Sequence, residues 1–199
     1  MFGDSFAGSE KFQKRQIKTV VEENVINISK LYGRTDVIKY IDISSIDNQR
    51  NEIIKYTDYS IKEAPSRAQQ LVQYGDILVS TVRPNLRNVA MVKENFSNLI
   101  ASTGFFVLRP TKLVKGDFLF EIAISTGFAE YLARQAKGAN YPAVSGRDIE
   151  KIEIPLPPLP LQTRFANIVQ EIDKIRFVMQ EGLKKLELTY KALMQEYFG

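Results

Sequence analysis

Apolar residues recur in the C-terminal quarter of the chain at Phe165, Ile168, Ile172, Ile175, Met179, Leu183, Leu186, Tyr190, Leu193 and Tyr197. The spacings of 3, 4, 3, 4, 4, 3, 4, 3 and 4 residues form a heptad seam with one extra residue between Met179 and Leu183. That four-four step, next to Gly182, relaxes the supercoil locally. The pattern predicts one helix from Pro160, a residue well placed in a first turn, to Tyr197, roughly 55 Å long at 1.5 Å per residue. A single seam of that length exceeds what a domain of this size can cover. Its expected partner is another long helix; the alternative is that it folds back on its own domain.

Upstream the period changes. Val37 to Ile46 alternates apolar and polar residues over its second half and reads as a strand closed by Asp47-Asn48. Ile77 to Val82 reads as a buried strand, Asn88 to Val92 as a short one, and Leu99 to Leu108 as another stopped by Arg109-Pro110. Ile17 to Val21 is expected to start a strand or an edge, Gly33 to mark a turn, and Ala64 to Gln70 to form a turn with a short helix. Phe118 to Ser125 and Phe128 to Lys137 read as two helices broken near Gly127. The polar loop from Gly138 to Arg147 follows, and then a last strand over Ile152-Glu153-Ile154.

Between this mixed region and the terminal helix stands Ile-Pro-Leu-Pro-Pro-Leu-Pro-Leu-Gln, residues 154–162, which holds four of the eight prolines. Proline fixes φ and pushes its predecessor out of the helical region, so the run is extended and stiff. The expected organisation is therefore α+β. A globular mixed α/β domain with a small, mostly antiparallel sheet spans 1–153, a proline-rich elbow 154–160, and one long coiled-coil helix 161–199.

Composition narrows the chemistry. The 199 residues include no cysteine and no histidine. That excludes disulfides, thiolate nucleophiles and Cys/His zinc sites, and removes the commonest general base at neutral pH. No metal or cofactor site is expected in the chain itself. No stretch approaches the roughly 18 apolar residues of a membrane span. Met1-Phe2-Gly3-Asp4-Ser5 lacks the basic and apolar regions of a secretion signal, so a cytoplasmic location is expected.

Net charge is +4, and its distribution carries more than its sum. Residues 65–115 hold Arg67, Arg83, Arg87, Lys93, Arg109, Lys112 and Lys115 against Asp76 and Glu94. A local excess of cations beside turns suits either a phosphate backbone or an ordinary solvated face. Known catalytic signatures are missing. There is no Asn/Asp-Pro-Pro-Tyr/Phe methyltransferase turn, no acidic-x-Lys nuclease tripeptide and no P-loop Gly-Lys-Ser/Thr. The chain reads as a binder.

Several blocks, in order, carry a family resemblance. They are Tyr40-Ile41-Asp42-Ile43-Ser44, Ala64-Pro65-Ser66-Arg67-Ala68, and Gly75 to Pro84. Ala101-Ser102-Thr103-Gly104-Phe105, Leu108-Arg109-Pro110 and Ile154 to Leu159 with Gln162 follow. Together, and ending in a heptad helix, the chain resembles the specificity subunit of type I restriction–modification systems over essentially its whole length. Family members usually carry two recognition domains and two helices, and this chain has one of each. The echo of Met1-Phe2-Gly3 by Tyr197-Phe198-Gly199 suits a half-subunit, either natural or an excised repeat.

The resemblance implies a non-catalytic subunit that reads one half of a bipartite site on double-stranded DNA. It also implies partner methyltransferase subunits that supply S-adenosylmethionine chemistry, and a restriction–translocase subunit that can join them. A helix of roughly 55 Å caps the separation of two half-sites at about 16 base pairs of 3.4 Å rise, and an antiparallel homodimer implies a palindromic target. Arg83, Asn85, Arg87 and Asn88 form the first set of candidate contacts, because arginine suits guanine edges and asparagine adenine edges. Asn140, Tyr141, Ser145 and Arg147 form a second set. Arg67, Lys93 and Lys112 are expected on phosphates. Arg83 and Arg67 lie inside the family-wide blocks, so each either contacts a base or stabilises the fold. Two other classes stand beside this reading: a coiled-coil scaffold with no DNA role, and a carboxylate-based enzyme.

Overall fold

A computed structural model describes residues 12–22, 28, 36–138 and 140–198. The expected turn at Gly33 lies outside them. The chain divides into two compact units, Met1–Leu159 and Pro160–Gly199.

The first unit is a mixed α+β domain built from small sheets. Strand β7 (Ile77–Ser80) is flanked by β10 (Phe105–Leu108) and β8 (Val89–Met91), both antiparallel. A four-stranded sheet has the order β5 (Thr57–Ser60), β2 (Val37–Ile41), β9 (Leu99–Ser102), β6 (Ala68–Leu71), in which only β2 and β9 run parallel. Two short pairs complete it: β3 (Ile46–Asp47) with β4 (Glu52–Ile53), and β1 (Lys14–Gln16) with β11 (Glu153–Pro155). The helices of this unit are α1 (Gly116–Ile124), α2 (Thr126–Gln135) and α3 (Gly146–Glu150).

The apolar runs are explained by two-sided burial. In β9, Leu99 and Ala101 join a core cluster with Ile41, Leu78, Ala90 and Phe105, while Ile100 packs in a second cluster with Ile38, Tyr40 and Ala68. Successive side chains of a strand point to opposite faces, so a strand covered on both reads as unbroken hydrophobicity. All four residues of β7 are buried for the same reason.

Several local expectations are corrected. The run Leu99–Leu108 is two strands in different sheets, separated at Thr103-Gly104. Ala68–Gln70, expected within a turn with a short helix over Ala64–Gln70, lies in strand β6. Pairing with β9 and the Gln70 amide, which donates to the carbonyls of Ser102 and Phe105 at 2.7 and 3.0 Å, outweigh local propensity. Strand β2 stops at Ile41, because the Asp42 carboxylate accepts the Ser45 N–H at 3.1 Å and caps a 3-10 turn. Ile17–Thr19 is also a 3-10 turn rather than a strand. The two helices break at Ser125, not Gly127, since the Ser125 hydroxyl accepts the Phe128 N–H at 3.3 Å and caps α2. The last strand expected over Ile152–Ile154 is β11, and it takes in Pro155, which was expected in the elbow.

The second unit is helix α4, which begins in the sequence at Leu159 and runs to Phe198. Ile172, Ile175, Met179, Leu183, Leu186, Tyr190, Leu193 and Tyr197 are all exposed along it. Phe177 and Leu188 are exposed as well. At about 100° per residue they fall within about 20° of each other, on the face opposite the seam.

Candidate nucleic-acid interface

The three-stranded sheet has two distinguishable ends. Ser80 pairs with Phe105 and Val79 with Val89 at one end, and Ile77 pairs with Leu108 and Met91 at the other. The segment 81–88 therefore projects from the first end.

A second segment is stitched to it. Arg83 N–H donates to the Pro142 carbonyl at 2.7 Å and Val144 N–H to the Thr81 carbonyl at 2.9 Å. Lys137 and Ala143 exchange both backbone hydrogen bonds at 2.9 Å, closing the loop between them. Gly138 has φ +102°, a region that a residue with a side chain seldom enters. The Arg83 guanidinium carbon sits 4.8 Å from the centroid of the Tyr141 ring, within cation–π range. Tyr141 is 70% exposed, so this pair forms a surface feature.

Segment 81–88 has an unusual backbone. Pro84–Leu86 forms a 3-10 turn, and helix α2 lies against it. The residues on either side, Arg83 (φ 48°, ψ 59°) and Arg87 (φ 55°, ψ 38°), are both left-handed. Non-glycine residues adopt that region rarely, and clusters of such outliers concentrate at functional sites. The Thr81 N–H and hydroxyl both donate to the Gly104 carbonyl at 2.9 Å, and the neighbouring Thr103 N–H donates to the Arg67 carbonyl at 2.9 Å. Arg67 thus belongs to the same end of the domain.

The structure brings together Arg83, Asn85, Arg87, Asn140, Tyr141 and Arg67, all exposed. Asn88, Lys93 and Lys112 are set apart from them, and Ser145 is engaged locally. Asn88 is 9% exposed, at the point where its carbonyl accepts from Ser80, so it faces the interior. The Ser145 hydroxyl donates to Asp148 Oδ2 at 2.6 Å and accepts the Asp148 N–H at 3.3 Å, so it is occupied as the N-cap of α3. The polar loop consequently ends at Ser145, and Arg147 is an exposed residue of α3. Ser145's hydrogen bonds, and after them Lys137 and Lys151, hold the Asp148 carboxyl below its ordinary value. Lys93 follows Met91 and Lys112 follows Leu108, at the opposite end of the sheet. Lys93 is also 3.3 Å from Glu52. Arg109 contributes nothing to a cationic surface, because it is buried against Asp76.

Two residues of this region were not among the sequence candidates. Asn48 Nδ2 donates to the Leu86 carbonyl at 2.8 Å, and Asn51 Nδ2 to the Val89 carbonyl at 3.1 Å. Their partners lie 38 residues away, beyond any local motif. The local signal is the polar turn Asp47-Asn48-Gln49-Arg50-Asn51 itself. No cluster of three or more metal-ligating side chains occurs among the described residues.

Residues 9–188 match the family model of the type I restriction modification DNA specificity domain. The chain belongs to this family. It is 25% identical over 176 residues to the type I restriction enzyme HindI specificity subunit of Haemophilus influenzae, a match covering 86% of this chain and 38% of that protein. It is 26% identical over 129 residues to the MjaVIII specificity subunit of Methanocaldococcus jannaschii, covering 64% and 29%. Among solved structures, the HsdS subunit from Thermoanaerobacter tengcongensis superposes with a TM-score of 0.75 at 28% identity, over 96% of this chain and 50% of that one. The S subunit from M. genitalium shares the fold alone, with a TM-score of 0.52 at 16% identity over 94% and 44%. This specificity-family chain therefore spans half or less of the length of these relatives.

Proposed function

We propose that the first unit reads one half of a bipartite DNA site for a type I restriction–modification complex, without catalytic activity of its own. The observation that carries this reading is the joining of segments 81–88 and 137–145 into one exposed surface bearing Arg83, Asn85, Arg87, Asn140 and Tyr141. Arginine and asparagine are the side chains that pair two-pronged with guanine and adenine edges in the major groove. Arg67 and Arg147 flank that surface as phosphate contacts, which position the protein without reading sequence. Lys93 and Lys112, at the far end, lie outside the footprint.

Helix α4 serves as spacer and dimerisation element. Its seam pairs antiparallel with a second such helix, a twin chain in the homodimeric case, and its opposite face holds methyltransferase subunits. Those subunits bind S-adenosylmethionine and perform the methylation, and a restriction–translocase subunit joins the same complex. The assembly works in the cytoplasm.

The test is to co-express the chain with the methyltransferase subunit encoded beside it and map adenine methylation by long-read sequencing. A split palindromic motif is the expected result. Absence of both methylation and co-purification would overturn the reading. Affinity for DNA should also fall steeply with salt, because each neutralised phosphate releases counterions. A coiled-coil scaffold with no DNA role predicts no such slope.

A further inference from the structure

We infer that Asn48 and Asn51 are positioning residues for DNA reading: they hold the two carbonyls that bracket Arg87 and so fix where its guanidinium points. This rests on the proposal that segment 81–88 contacts DNA.

A left-handed arginine persists only where its surroundings over-determine it. For Arg83 the constraint is visible, since its N–H is anchored on Pro142 and its guanidinium lies over Tyr141. None of the described residues of the 137–145 loop anchors Arg87 in this way. Its own N–H donates to Pro84 at 3.1 Å within the turn. The surrounding residues supply the rest: Leu86, just before it, accepts from Asn48, the Asn88 carbonyl, just after it, accepts from the Ser80 N–H of β7, and Val89, two residues on, accepts from Asn51. The Val89 N–H in turn donates to the Arg87 carbonyl at 2.8 Å, which closes the frame around that residue.

The brace is itself rigid. The Asp47 carboxylate accepts the N–H groups of Gln49 and Arg50 at 2.9 and 3.1 Å, fixing the turn. Ile46 and Ile53, paired across β3 and β4, root it in the core. Asn51 is also left-handed (φ 55°), a conformation asparagine tolerates better than most residues. Asn48 is exposed, so its amide adds little to the core while setting the outline of the loop. A hydrogen bond that contributes little to burial and closes on the backbone beside an exposed arginine acts on aim.

The test uses the full chain and a duplex pool of random sequence. The wild type enriches a preferred sequence, and affinity is then measured for that sequence and for the unselected pool. Asn48→Ala is expected to weaken binding to the enriched sequence roughly five- to tenfold, the scale of one hydrogen bond. Affinity for the unselected pool and the melting temperature should stay unchanged. Asn51→Ala should do the same with a lower melting temperature, because Asn51 is half-buried. Arg87→Ala is the reference. If Arg87→Ala weakens binding to the enriched sequence and Asn48→Ala does not, the positioning role is overturned while the DNA reading stands. If Asn48→Ala lowers the melting temperature and both affinities together, Asn48 is structural and the inference fails. If Arg87→Ala changes neither affinity, the loop does not read DNA and both proposals fail.

Discussion

Arg109 and Asp76 form a buried two-point ion pair, with Nε donating to Oδ1 at 2.8 Å and Nη2 to Oδ2 at 2.7 Å. Their side chains are 10% and 1% exposed. The pair closes the far end of the three-stranded sheet, beside the Ile77–Leu108 register pair. Asp76 also accepts the Gln73 N–H at 2.8 Å, and Arg109 reaches the Leu71 carbonyl at 3.3 Å, which ties the two larger sheets together. The hydrogen bond to Asp76 raises the Arg109 pKa further above its ordinary value, so the guanidinium stays charged. Removing one partner leaves an uncompensated buried charge, which costs about 3–5 kcal/mol. Asp76→Asn is therefore expected to lower unfolding stability by that order in a urea titration. The double variant Asp76→Leu with Arg109→Met should recover much of the loss. If the single and double variants are equally unstable, the charge pairing is not what matters.

Arg87 offers a separation of stability from function. Its left-handed backbone costs about 1–2 kcal/mol for a residue with a Cβ. Glycine removes that cost but loses about 0.5–1 kcal/mol through its freer unfolded chain, so Arg87→Gly should remain within about 1 kcal/mol of the wild type. Arg87→Val keeps the strain and adds β-branching, and should be clearly less stable. Both should bind DNA more weakly and with a shallower salt slope. Urea midpoints and salt-dependent binding isotherms check the two halves independently.

The contrast between Arg87 and Arg109 shows where the sequence was legible. Both are arginines of the same cation-rich stretch, yet one is exposed and the other is a buried brace. Composition counts them alike; only the placement of Asp76 opposite Arg109 divides them. The periodic features were readable because they are local: the helix α4, the buried run of β7, the helical change after Phe118. The break inside Leu99–Leu108 was not, since a strand leaving one sheet for another looks like one continuous apolar run. Nor was the turn-to-strand register of Ala68–Leu71, which depends on a pairing partner some thirty residues on. Asn88 was misplaced for a similar reason, because whether a side chain beside β8 faces in or out is set by the pairing of β8 with β7.

Asp148 supplies a pH prediction. Its carboxyl accepts the Ser145 N–H at 2.9 Å and hydroxyl at 2.6 Å, and these hydrogen bonds lower its pKa below the ordinary 3.8. A carboxyl whose folded pKa is depressed stabilises the fold above its unfolded pKa, and that contribution disappears as pH falls through the folded value. Asp148→Asn should accordingly be less stable than the wild type at neutral pH. The gap should close as pH drops below 3.8. Urea midpoints for the two proteins across an acid series provide the check, and a gap that stays constant would mean Asp148 contributes nothing through its charge.

The two apolar faces of α4 should be separable by substitution. Met179 and Leu186 lie on the seam and are 69% and 70% exposed, whereas Phe177 and Leu188, 65% and 59% exposed, lie on the opposite face. In the proposed pairing, a glutamate in place of a seam residue would bury a charge between the two helices, and one such anchor is worth more than about tenfold in association. Met179→Glu and Leu186→Glu should therefore shift the chain towards monomer in sedimentation. Phe177→Glu and Leu188→Glu should leave self-association intact and abolish co-purification with the methyltransferase subunit. The charge lands on the other side of the helix, where Lys174 and Lys184 already keep the seam's reverse polar at its margins. If all four variants lose self-association equally, α4 is covered on every side by one partner, and the assignment of separate faces is wrong. If Phe177→Glu and Leu188→Glu still co-purify, the methyltransferase docks elsewhere.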